Sequence, residues 1–452
     1  MSEGRRQRSS IFSGLLLILL GVLFLLARFH PELSMWHLFW RYWPVVIILW
    51  GVAKLFDHLR AQRAGQGRPA LLNGGEAALL ILVFFVLAAM GIYTKIREKN
   101  PDMNIDIGFF NHQATQSQEL PAKTIPANSH VTITTVRGSI TAHAGDGDDV
   151  RVSVNETAEG ASETSAQDRM KTLNVVIEQT GDGYSVHPVN LEDTGGHVTV
   201  DLDVTLPKKV WVTASSDRGD IQISGVAGAV EARAQSGDIE VHDVGSSVSV
   251  KLEKGDARIS KVAGNVNVMG HGSEIEVSEV KGNADFAGDF FGPIHVRSVA
   301  GTTHYGSQKA DLTLVNLSGR MELDSGQIEI SDVGGLTKMN THDKDIDVEN
   351  VAGKLDIADT HGDIKVRYLK PPREDISIAN ASGAVDVTLP SNSSFEISAV
   401  SQSGEVQSDF EEPGLKPANE NQTGRLSGKV GSGGPKINIA TSYGTVYLRK
   451  SS

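Results

Sequence analysis

The sequence contains no cysteine among its 452 residues. This absence excludes disulfide frameworks, thiolate zinc sites and cysteine nucleophiles. Basic residues are scarce after residue 100. The first 100 residues carry 12 basic and five acidic residues, a net charge of +7, so the remainder carries 30 basic and 50 acidic residues, a net charge of −20. Phosphates would be repelled over the surface of so acidic a body, and we therefore expect no nucleic-acid partner.

Residues 1–96 form a predicted transmembrane region with three apolar runs, at about 11–27, 42–56 and 77–94. The first and third runs reach the roughly 17 residues that an α-helix needs to span a bilayer. The middle run has a shorter uncharged stretch, and it reaches this length only if the Lys54 side chain snorkels to the interface. Nearby tryptophans would then form an interfacial aromatic belt. We expect three membrane-spanning helices and the lipid bilayer as a partner.

Basic residues in the short loops predict the orientation of these helices, because cytoplasmic loops are enriched in Lys and Arg. The basic residues before the first run are Arg5, Arg6 and Arg8. Those at the end of the second run and before the third are Lys54, Arg60, Arg63 and Arg68. Three spans with a cytoplasmic N-terminus place residue 95 onward outside. The predicted localisation is the cytoplasmic membrane, with a multi-pass anchor and an extracytoplasmic C-terminal domain. If the middle run does not span, a two-span topology leaves that domain in the cytoplasm.

Residues 218–370 contain a repeat with a period of about 18 residues. The first units are RGDIQISGVAG (218–228), SGDIEVHDVGS (236–246) and KGDARISKVAG (254–264), and a degenerate unit is expected at 305–319. Apolar and polar residues alternate within each unit, as in β-strands, and the Gly-Asp pairs have turn chemistry, with Asp bonding its own backbone. Short strands bury a continuous core only by stacking. The prediction is a β-solenoid (β-helix-like) with about 18 residues per turn, and a β-sandwich is the alternative.

Less regular β regions flank the repeat. A linker is expected at 97–120, an N-terminal β region at 121–217 and a C-terminal β capping region at 371–452. The first β region contains one predicted helix, at 162–173, with Ser162 as its cap. The predicted fold class is therefore N-terminal transmembrane α-helices followed by an all-β domain. Both flanks are expected to cover the solenoid ends, because open edge strands invite aggregation.

Two stretches resemble known families. The pattern GLLLILLGVLFLL (14–26) followed by WPVVIILWGVAKLF (43–56) is similar to the transmembrane hairpin of LiaI/LiaF-type bacterial envelope-stress proteins. The iterated SGDI units and the ending SGKVGSGGPKINIATSYGTVYL (427–448) resemble the Toast-rack, or “putative adhesin”, family of bacterial β-strand-repeat proteins over about 120–450. The resemblance implies an extracytoplasmic β-solenoid-like domain with no established biochemical activity.

The sequence predicts no catalytic, cofactor-binding or metal-binding residue, although it contains several clusters of polar side chains. The acidic side chains of Asp343, Asp345, Asp347 and Glu349 alternate with inward residues and are expected to face solvent, as is the GDGDD turn at 145–149. His271, His342 and His361 occupy a turn column that also accepts Arg, Lys, Phe and Ser, which is not the pattern of a metal site.

Other motifs are also interpreted as structural. A glycan-cleaving site could be imagined from Asp359, Asp363 and Lys365, but outward polar residues are common on such a repeat. GSGGPK (431–436) lacks the ending of a phosphate-binding loop. The RGD tripeptide (218–220) coincides with the turn of the repeat itself.

These features predict a non-enzymatic membrane-anchored protein, with envelope-stress sensing or scaffolding as its role and a membrane signalling protein as its partner. The alternative is an adhesin or a surface protein that binds cell-wall polymer. A glycan-active enzyme is a remote alternative. No cofactor is expected.

Overall fold

The computed structural model describes residues 112–451, apart from 161, 182 and 191–196. These residues lie in one compact unit, His112–Ser452. The predicted membrane spans fall outside the described residues. Within the described part of the chain, no helix is long and apolar enough to cross a membrane. The unit is a large all-β domain.

The first part of the domain combines strands with a short helix. The elements are β1 (His112–Glu119), β2 (Lys123–Thr124), β3 (His130–Arg137), β4 (Ile140–Gly145), β5 (Asp149–Gly160), α1 (Glu163–Thr172), β6 (Asn174–Thr180), β7 (Gly183–Val189) and β8 (Val198–Pro207). The predicted helix and its cap are confirmed, because the Ser162 hydroxyl accepts a hydrogen bond from the Ser165 amide. The predicted linker differs from the structure, since β1 lies within it and pairs antiparallel with β5.

The repeat begins at β9 and continues through short alternating strands. These are β9 (Trp211–Arg218), β10 (Ile221–Ser224), β11 (Val230–Ser236), β12 (Ile239–Val244), β13 (Val248–Leu252), β14 (Ala257–Val262), β15 (Val266–Gly270), β16 (Ile275–Val280), β17 (Ala284–Gly288) and β18 (Ile294–Gly306). After the long β19 (Ala310–Leu323) come β20 (Gln327–Val333), β21 (Thr337–Thr341), β22 (Asp345–Val351), β23 (Leu355–His361) and β24 (Ile364–Arg367).

The C-terminal strands complete the domain. They are β25 (Ile376–Ser382), β26 (Val385–Pro390), β27 (Phe395–Ser403), β28 (Val406–Ser408), β29 (Ala418–Glu420), β30 (Thr423–Val430), β31 (Lys436–Tyr443) and β32 (Val446–Ser451). β25 and β26 continue the parallel stacking beyond residue 370, and β31 and β32 lie between them and β27 and β28. The last strands in sequence are therefore inserted one turn before the end of the stack.

Each turn of the repeat contains two strands, which stack parallel on the strands one turn away. Ile239 of β12 pairs with Ile221 of β10 and with Ala257 of β14, so each partner lies one repeat period away in sequence. β11, β13 and β15 pair with the same offset. We call the stack of β10, β12, β14 and β16 the A column, and the stack of β9, β11, β13, β15 and β17 the B column. The predicted register of one repeat unit per turn is confirmed, and this parallel pairing differs from a sandwich of antiparallel strands.

The core lies along the inward side chains of both columns. In the turn formed by β12 and β13, the buried residues are Ile239, Val241, Val244, Val248, Val250 and Leu252, each at most 2% exposed. They belong to a single buried cluster that runs the length of the described domain. Equivalent positions on each turn thus supply one continuous core, as expected for stacked repeats.

The turns that lead from the B column to the A column hold a ladder of glycines and aspartates. Gly237 has a φ of +143°, and a Cβ atom there would lie 2.3 Å from the carbonyl oxygen of Gly219. The Asp220 carboxylate accepts a hydrogen bond of 2.9 Å from the Asp238 amide, and Asp238 does the same for Asp256. The expectation that Asp bonds its own backbone is therefore wrong. The carboxylate joins successive turns.

The opposite corner, from the A column to the B column, uses left-handed backbone at residues other than glycine. Asp243, Lys261, Glu279, Ser298, Asp332 and Asn350 have φ values between 54° and 60°, and Gly225 occupies the first of these corners with a φ of 73°. The left-handed residue interrupts the alternation, so that the next residue, such as Val244, returns to the core. The corner thus adds a third inward side chain to the two of the A strand, as Val244 does in β12 and Val226 does after β10.

Between the two parallel halves the chain reverses direction. β19 pairs antiparallel with β18 on one side and with β20 and β21 on the other. The prediction of one more stacked unit at 305–319 is therefore wrong. The Ser307 hydroxyl accepts hydrogen bonds from the amides of Lys309 and Ala310, which closes a hairpin where a stacking turn was expected. We call this β18–β19 hairpin the strand reversal.

Candidate functional site

Two rows of charged and polar side chains run across the outward face of the last A-column strand, β16, and of the strands β18, β19, β20 and β22 that follow it through the strand reversal. The register aligns the first row, Glu276, His295, Glu322, Glu329 and Asp347, across β16, β18, β19, β20 and β22. We call it the acidic row. The register aligns the second row two residues further along, as Ser278, Arg297, Arg320, Ser331 and Glu349. We call it the arginine row.

His295 lies between carboxylates from two other elements. Its Nε2 atom is 4.0 Å from Oε1 of Glu274, and its Nδ1 atom is 4.0 Å from Oε1 of Glu322. Nδ1 is buried and has no hydrogen-bond partner within the described structure. These distances are longer than hydrogen bonds, so His295 is placed beside the two carboxylates without being fixed by either.

Arg320 connects the two rows. Its guanidinium nitrogens lie 3.4 Å from Glu322 and 3.7 Å from Glu329. Glu322 and Glu329 are direct cross-strand neighbours. Like charges in that position repel each other, so a cation between them offsets part of the repulsion. The ion pairs are half-exposed and contribute little to stability.

A shallow cleft lies at one end of the acidic row, lined by Pro293, His295, Glu322, Leu323, Asp324, Gln327 and Glu329, with a volume of about 70 Å³. Pockets for small molecules usually enclose roughly 300–1,000 Å³. The cleft has room for a few water molecules and is too small to enclose a sugar ring. Recognition at this face would therefore use the exposed rows and not an enclosed pocket.

A second group of polar residues is buried inside the domain near the same reversal. Asp359 is 6% exposed, and its Oδ1 atom accepts a hydrogen bond of 2.6 Å from the Thr341 hydroxyl. Lys344 is also 6% exposed, and its ammonium donates to the carbonyl oxygen of Asp324. Burial raises the pKa of the Asp359 carboxyl and lowers the pKa of the Lys344 ammonium, because both charged forms lose hydration.

The carboxyl of Asp324, by contrast, is stabilised in its charged form. It accepts hydrogen bonds from the amides of Gly326 and Gln327, at 2.8 and 2.7 Å, and these bonds lower its pKa. Asp324 thus closes the β19–β20 turn with its side chain and receives Lys344 with its carbonyl. The contacts of Asp324 and Lys344 are consistent with a structural role for these two residues at the strand reversal.

The structure separates the residues of the imagined glycan-cleaving site. Asp359 is buried in β23, whereas Asp363 and Lys365 are exposed. The Asp363 carboxylate accepts a hydrogen bond from the Ala384 amide, as part of the turn ladder. The expectation that Asp359 points outward is wrong, because it follows Leu355 and Ile357 at the inward spacing.

The other motifs take the places expected of turns and outward faces. Asp343 and Asp345 are exposed, and Asp343 lies 3.0 Å from the imidazole of His361. His271 and His342 are exposed as well. In the described part of the chain, no group of three or more His, Asp and Glu side chains has an arrangement that could hold a metal ion.

The RGD and GSGGPK motifs also lie in turns. Gly219 of RGD has a φ of +145°, and a Cβ atom there would lie 2.1 Å from the carbonyl oxygen of Gly138. Residues 431–435 of GSGGPK connect β30 to β31, and Lys436 begins β31. Both motifs therefore serve as turns between strands.

Sequence reasoning missed the arginine row and the buried Lys344. The row depends on the strand reversal, which makes Arg297 of β18 and Arg320 of β19 direct partners although they are far apart in sequence. Lys344 occupies the place that glycine takes in the equivalent turns at Gly237 and Gly362. The replacement of glycine by lysine at this turn position is the feature of the sequence that could have identified Lys344 as unusual.

Comparison with known proteins identifies two regions. Residues 265–449 match the family model described as Toastrack DUF4097. Residues 11–55 match the model of the LiaI-LiaF-like transmembrane region. A search of curated proteins found no match to the sequence.

Solved structures give only distant likenesses. A “putative cell adhesion protein” from Clostridium sporogenes is 7% identical with a TM-score of 0.17, and the match covers 74% of this chain and 100% of that one. A “putative adhesin” from Bacteroides fragilis is 9% identical with a TM-score of 0.22, covering 75% and 97%. A “putative lipid binding protein” from Parabacteroides distasonis is 10% identical with a TM-score of 0.16, covering 74% and 96%. Likenesses at these values say nothing about what this chain binds.

Both resemblances noted in the sequence are confirmed by the family models. Residues 265–449 are thus similar to the Toastrack DUF4097 family, and residues 11–55 to the LiaI-LiaF-like transmembrane region.

Proposed function

We propose that this is a non-enzymatic protein of the bacterial envelope, anchored in the cytoplasmic membrane by residues 1–96, whose β domain lies outside the cytoplasm and acts as a scaffold or sensor of envelope stress. We interpret the coil of stacked turns as a β-solenoid. The observation that carries the proposal is the union in one chain of a LiaI-LiaF-like transmembrane region with a continuous stack of β-strands.

The stack suits a scaffold because its rigidity is built into every turn. Each turn adds inward side chains to the common core and forms backbone hydrogen bonds with both neighbours, as at Ile221 and Ile239. In such repeats each unit contacts mainly the units next to it, and the whole forms an elongated body with long faces. A stack of this kind offers long continuous faces to a partner.

Isolation of the full-length protein from native membranes after chemical cross-linking tests the proposed role. We expect a membrane signalling protein, such as a histidine kinase or its regulator, to be cross-linked to the chain. A control chain that ends at residue 111 shows whether the β domain is required. Recovery of the same partners with this control, or of no membrane signalling protein with the full chain, would contradict the role of the domain in sensing.

A second candidate function is adhesion or the binding of cell-wall polymer. The acidic and arginine rows favour it, because they place outward polar side chains at the spacing of neighbouring strands, about 4.8 Å, along the long face. Co-sedimentation of the full-length protein with isolated cell wall tests this function. Saturable binding would support it, and recovery of all the protein in the supernatant would exclude it.

A further inference from the structure

We propose that Arg297 and Arg320, at the strand reversal, form a binding site for an oxyanion group such as a phosphate. This site goes beyond the scaffold or sensor role and does not depend on it. The two arginines are direct partners in the antiparallel pairing of β18 and β19. Their neighbours Val296 and Met321 are also partners and are fully buried, so the two arginine side chains project from the opposite, outward face.

The pairing of Arg297 with Arg320 places two like charges opposite each other. Directly opposite residues of an antiparallel pair have Cβ atoms about 4.5–5.5 Å apart, and like charges in that position are destabilising. Arg297 and Arg320 are both exposed, so water screens part of the repulsion. An oxyanion between the two guanidinium groups would convert the repulsion into two attractive, charge-assisted contacts.

The two arginines differ in how their own charge is compensated. Arg320 lies within 4.0 Å of Glu322 and Glu329. Arg297 forms no ion pair with any residue that the structure describes. One guanidinium is therefore held in place by carboxylates, and the other is available to a ligand. Because the carboxylates of the acidic row lie beside the two arginines, we expect the site to hold one oxyanion group at a time, whether that group is free or part of a larger molecule.

Hydroxyl groups extend the site on both sides. Ser278 is the register partner of Arg297 on β16, and Ser331 is the register partner of Arg320 on β20. Both serines are half-buried. The order Ser278, Arg297, Arg320, Ser331 thus places four donor side chains in line across four adjacent strands, a span of roughly 14 Å at the usual strand spacing. Guanidinium groups bind phosphate and carboxylate through two parallel hydrogen bonds, which favours oxyanions over other anions.

Calorimetric titration of the full-length protein in detergent tests the site with two probes, inorganic phosphate and polyphosphate. We expect saturable binding to the unaltered protein that weakens at least tenfold in Arg297→Gln. Arg258→Gln is the matched control, because Arg258 is also exposed on the A column and lies 3.8 Å from Asp256. Its binding should remain within twofold of the unaltered protein.

The two probes distinguish the sources of the oxyanion. Stronger binding of polyphosphate, per site, indicates a group carried by an extended polymer, whereas equal binding indicates a free anion. Both results support the site. Absence of saturable binding for both probes would overturn it, as would equal weakening by Arg297→Gln and Arg258→Gln, which would indicate non-specific charge attraction. As a check on folding, Arg297→Gln should keep the far-ultraviolet circular dichroism spectrum and melt at the same or a higher temperature.

Discussion

The glycine ladder predicts that one methyl group at Gly237 destabilises the domain. Gly237→Ala would add a Cβ atom 2.3 Å from the carbonyl oxygen of Gly219 and 2.6 Å from its carbonyl carbon. Ordinary contacts of a Cβ atom begin at about 3.4 Å, so the two turns would have to separate by close to 1 Å. This movement would disturb the hydrogen bond between the Gly219 amide and the Ser236 carbonyl, which is 2.9 Å long.

The backbone at Gly237 adds to this cost. Its φ of +143° lies in a region that is essentially restricted to glycine. Residues held in such regions cost about 1–3 kcal/mol each. Separation of the turns adds to that figure, so we expect Gly237→Ala to lower the free energy of unfolding by at least about 2 kcal/mol.

Gly326→Ala is the matched control. No atom lies within 4 Å of the position that its Cβ atom would take, and its φ is outside the left-handed region. Its amide, which donates to Asp324, is retained in alanine. Replacing glycine at a compatible position stabilises by about 0.4–1 kcal/mol, because the unfolded chain loses freedom.

Denaturant unfolding of the two variants in the full-length protein, followed by circular dichroism, measures the difference. We expect a lower midpoint for Gly237→Ala and an unchanged or higher midpoint for Gly326→Ala. Equal midpoints, or a more stable Gly237→Ala, would refute the close stacking of successive turns.

Three further predictions concern the core, the corners and the buried carboxyl. Ile239→Asp should lower the free energy of unfolding by several kcal/mol, because it buries an unpaired carboxylate. Glu240→Gln, on the outward side, should change the free energy of unfolding by less than about 0.5 kcal/mol in the same denaturation assay. Lys261→Gly should leave the melting temperature unchanged or raise it. Gly225→Lys should lower the free energy of unfolding by about 1–2 kcal/mol, the usual cost of a left-handed residue with a side chain. The opposite order of melting temperatures would contradict the corner geometry. Burial raises the pKa of Asp359 in the folded state. The domain therefore keeps its full stability below the pKa of the unfolded chain, near pH 4, and loses stability as the pH rises through the pKa of the folded state. Asp359→Asn should therefore raise the melting temperature at about pH 8 and hardly change it near pH 4, and a rise of equal size at both pH values would contradict the assignment.

The repeat was predictable from sequence because each turn is specified locally. Alternating pairs such as Ile239 and Val241 define strands, and the Gly-Asp pairs define the turns between them. An offset of one repeat unit between stacked strands then follows from the spacing of the units. The contacts within one turn recur in the next, so the register did not depend on long-range information.

The strand reversal was not predictable in the same way. β19 has the same alternation of buried residues as a stacking strand, with Leu312 and Leu314 inward. Alternation does not distinguish parallel from antiparallel neighbours. The irregular spacing between residues 301 and 325 is the only local feature of the sequence that marks this place, and a degenerate repeat unit has the same spacing. Because the arginine row depends on that reversal, the candidate oxyanion site could not be foreseen either.

The corner residues and the buried carboxyl show two further limits. Lys261 and Glu279 adopt left-handed backbone that favours glycine, asparagine and aspartate, so residue type gave little indication of their conformation. Asp359 follows the inward spacing of Leu355 and Ile357, but a sequence pattern favours an exposed position for it because ionisable residues are rarely buried. The left-handed corners and the burial of Asp359 both depend on the turns stacked on each side.

The side of the membrane on which the β domain lies tests the account most directly, and the absence of native cysteine makes the measurement simple. Single cysteines at Ser2, Gln66 and Ser236 are treated with a membrane-impermeant thiol reagent on intact spheroplasts. Ser236 is exposed in the folded domain and therefore accessible wherever the domain lies. The account predicts labelling at position 236 and protection at positions 2 and 66, because Lys54, Arg60, Arg63 and Arg68 favour a cytoplasmic loop. Labelling at position 66 with protection at 236 would place the β domain in the cytoplasm and contradict the proposed envelope function.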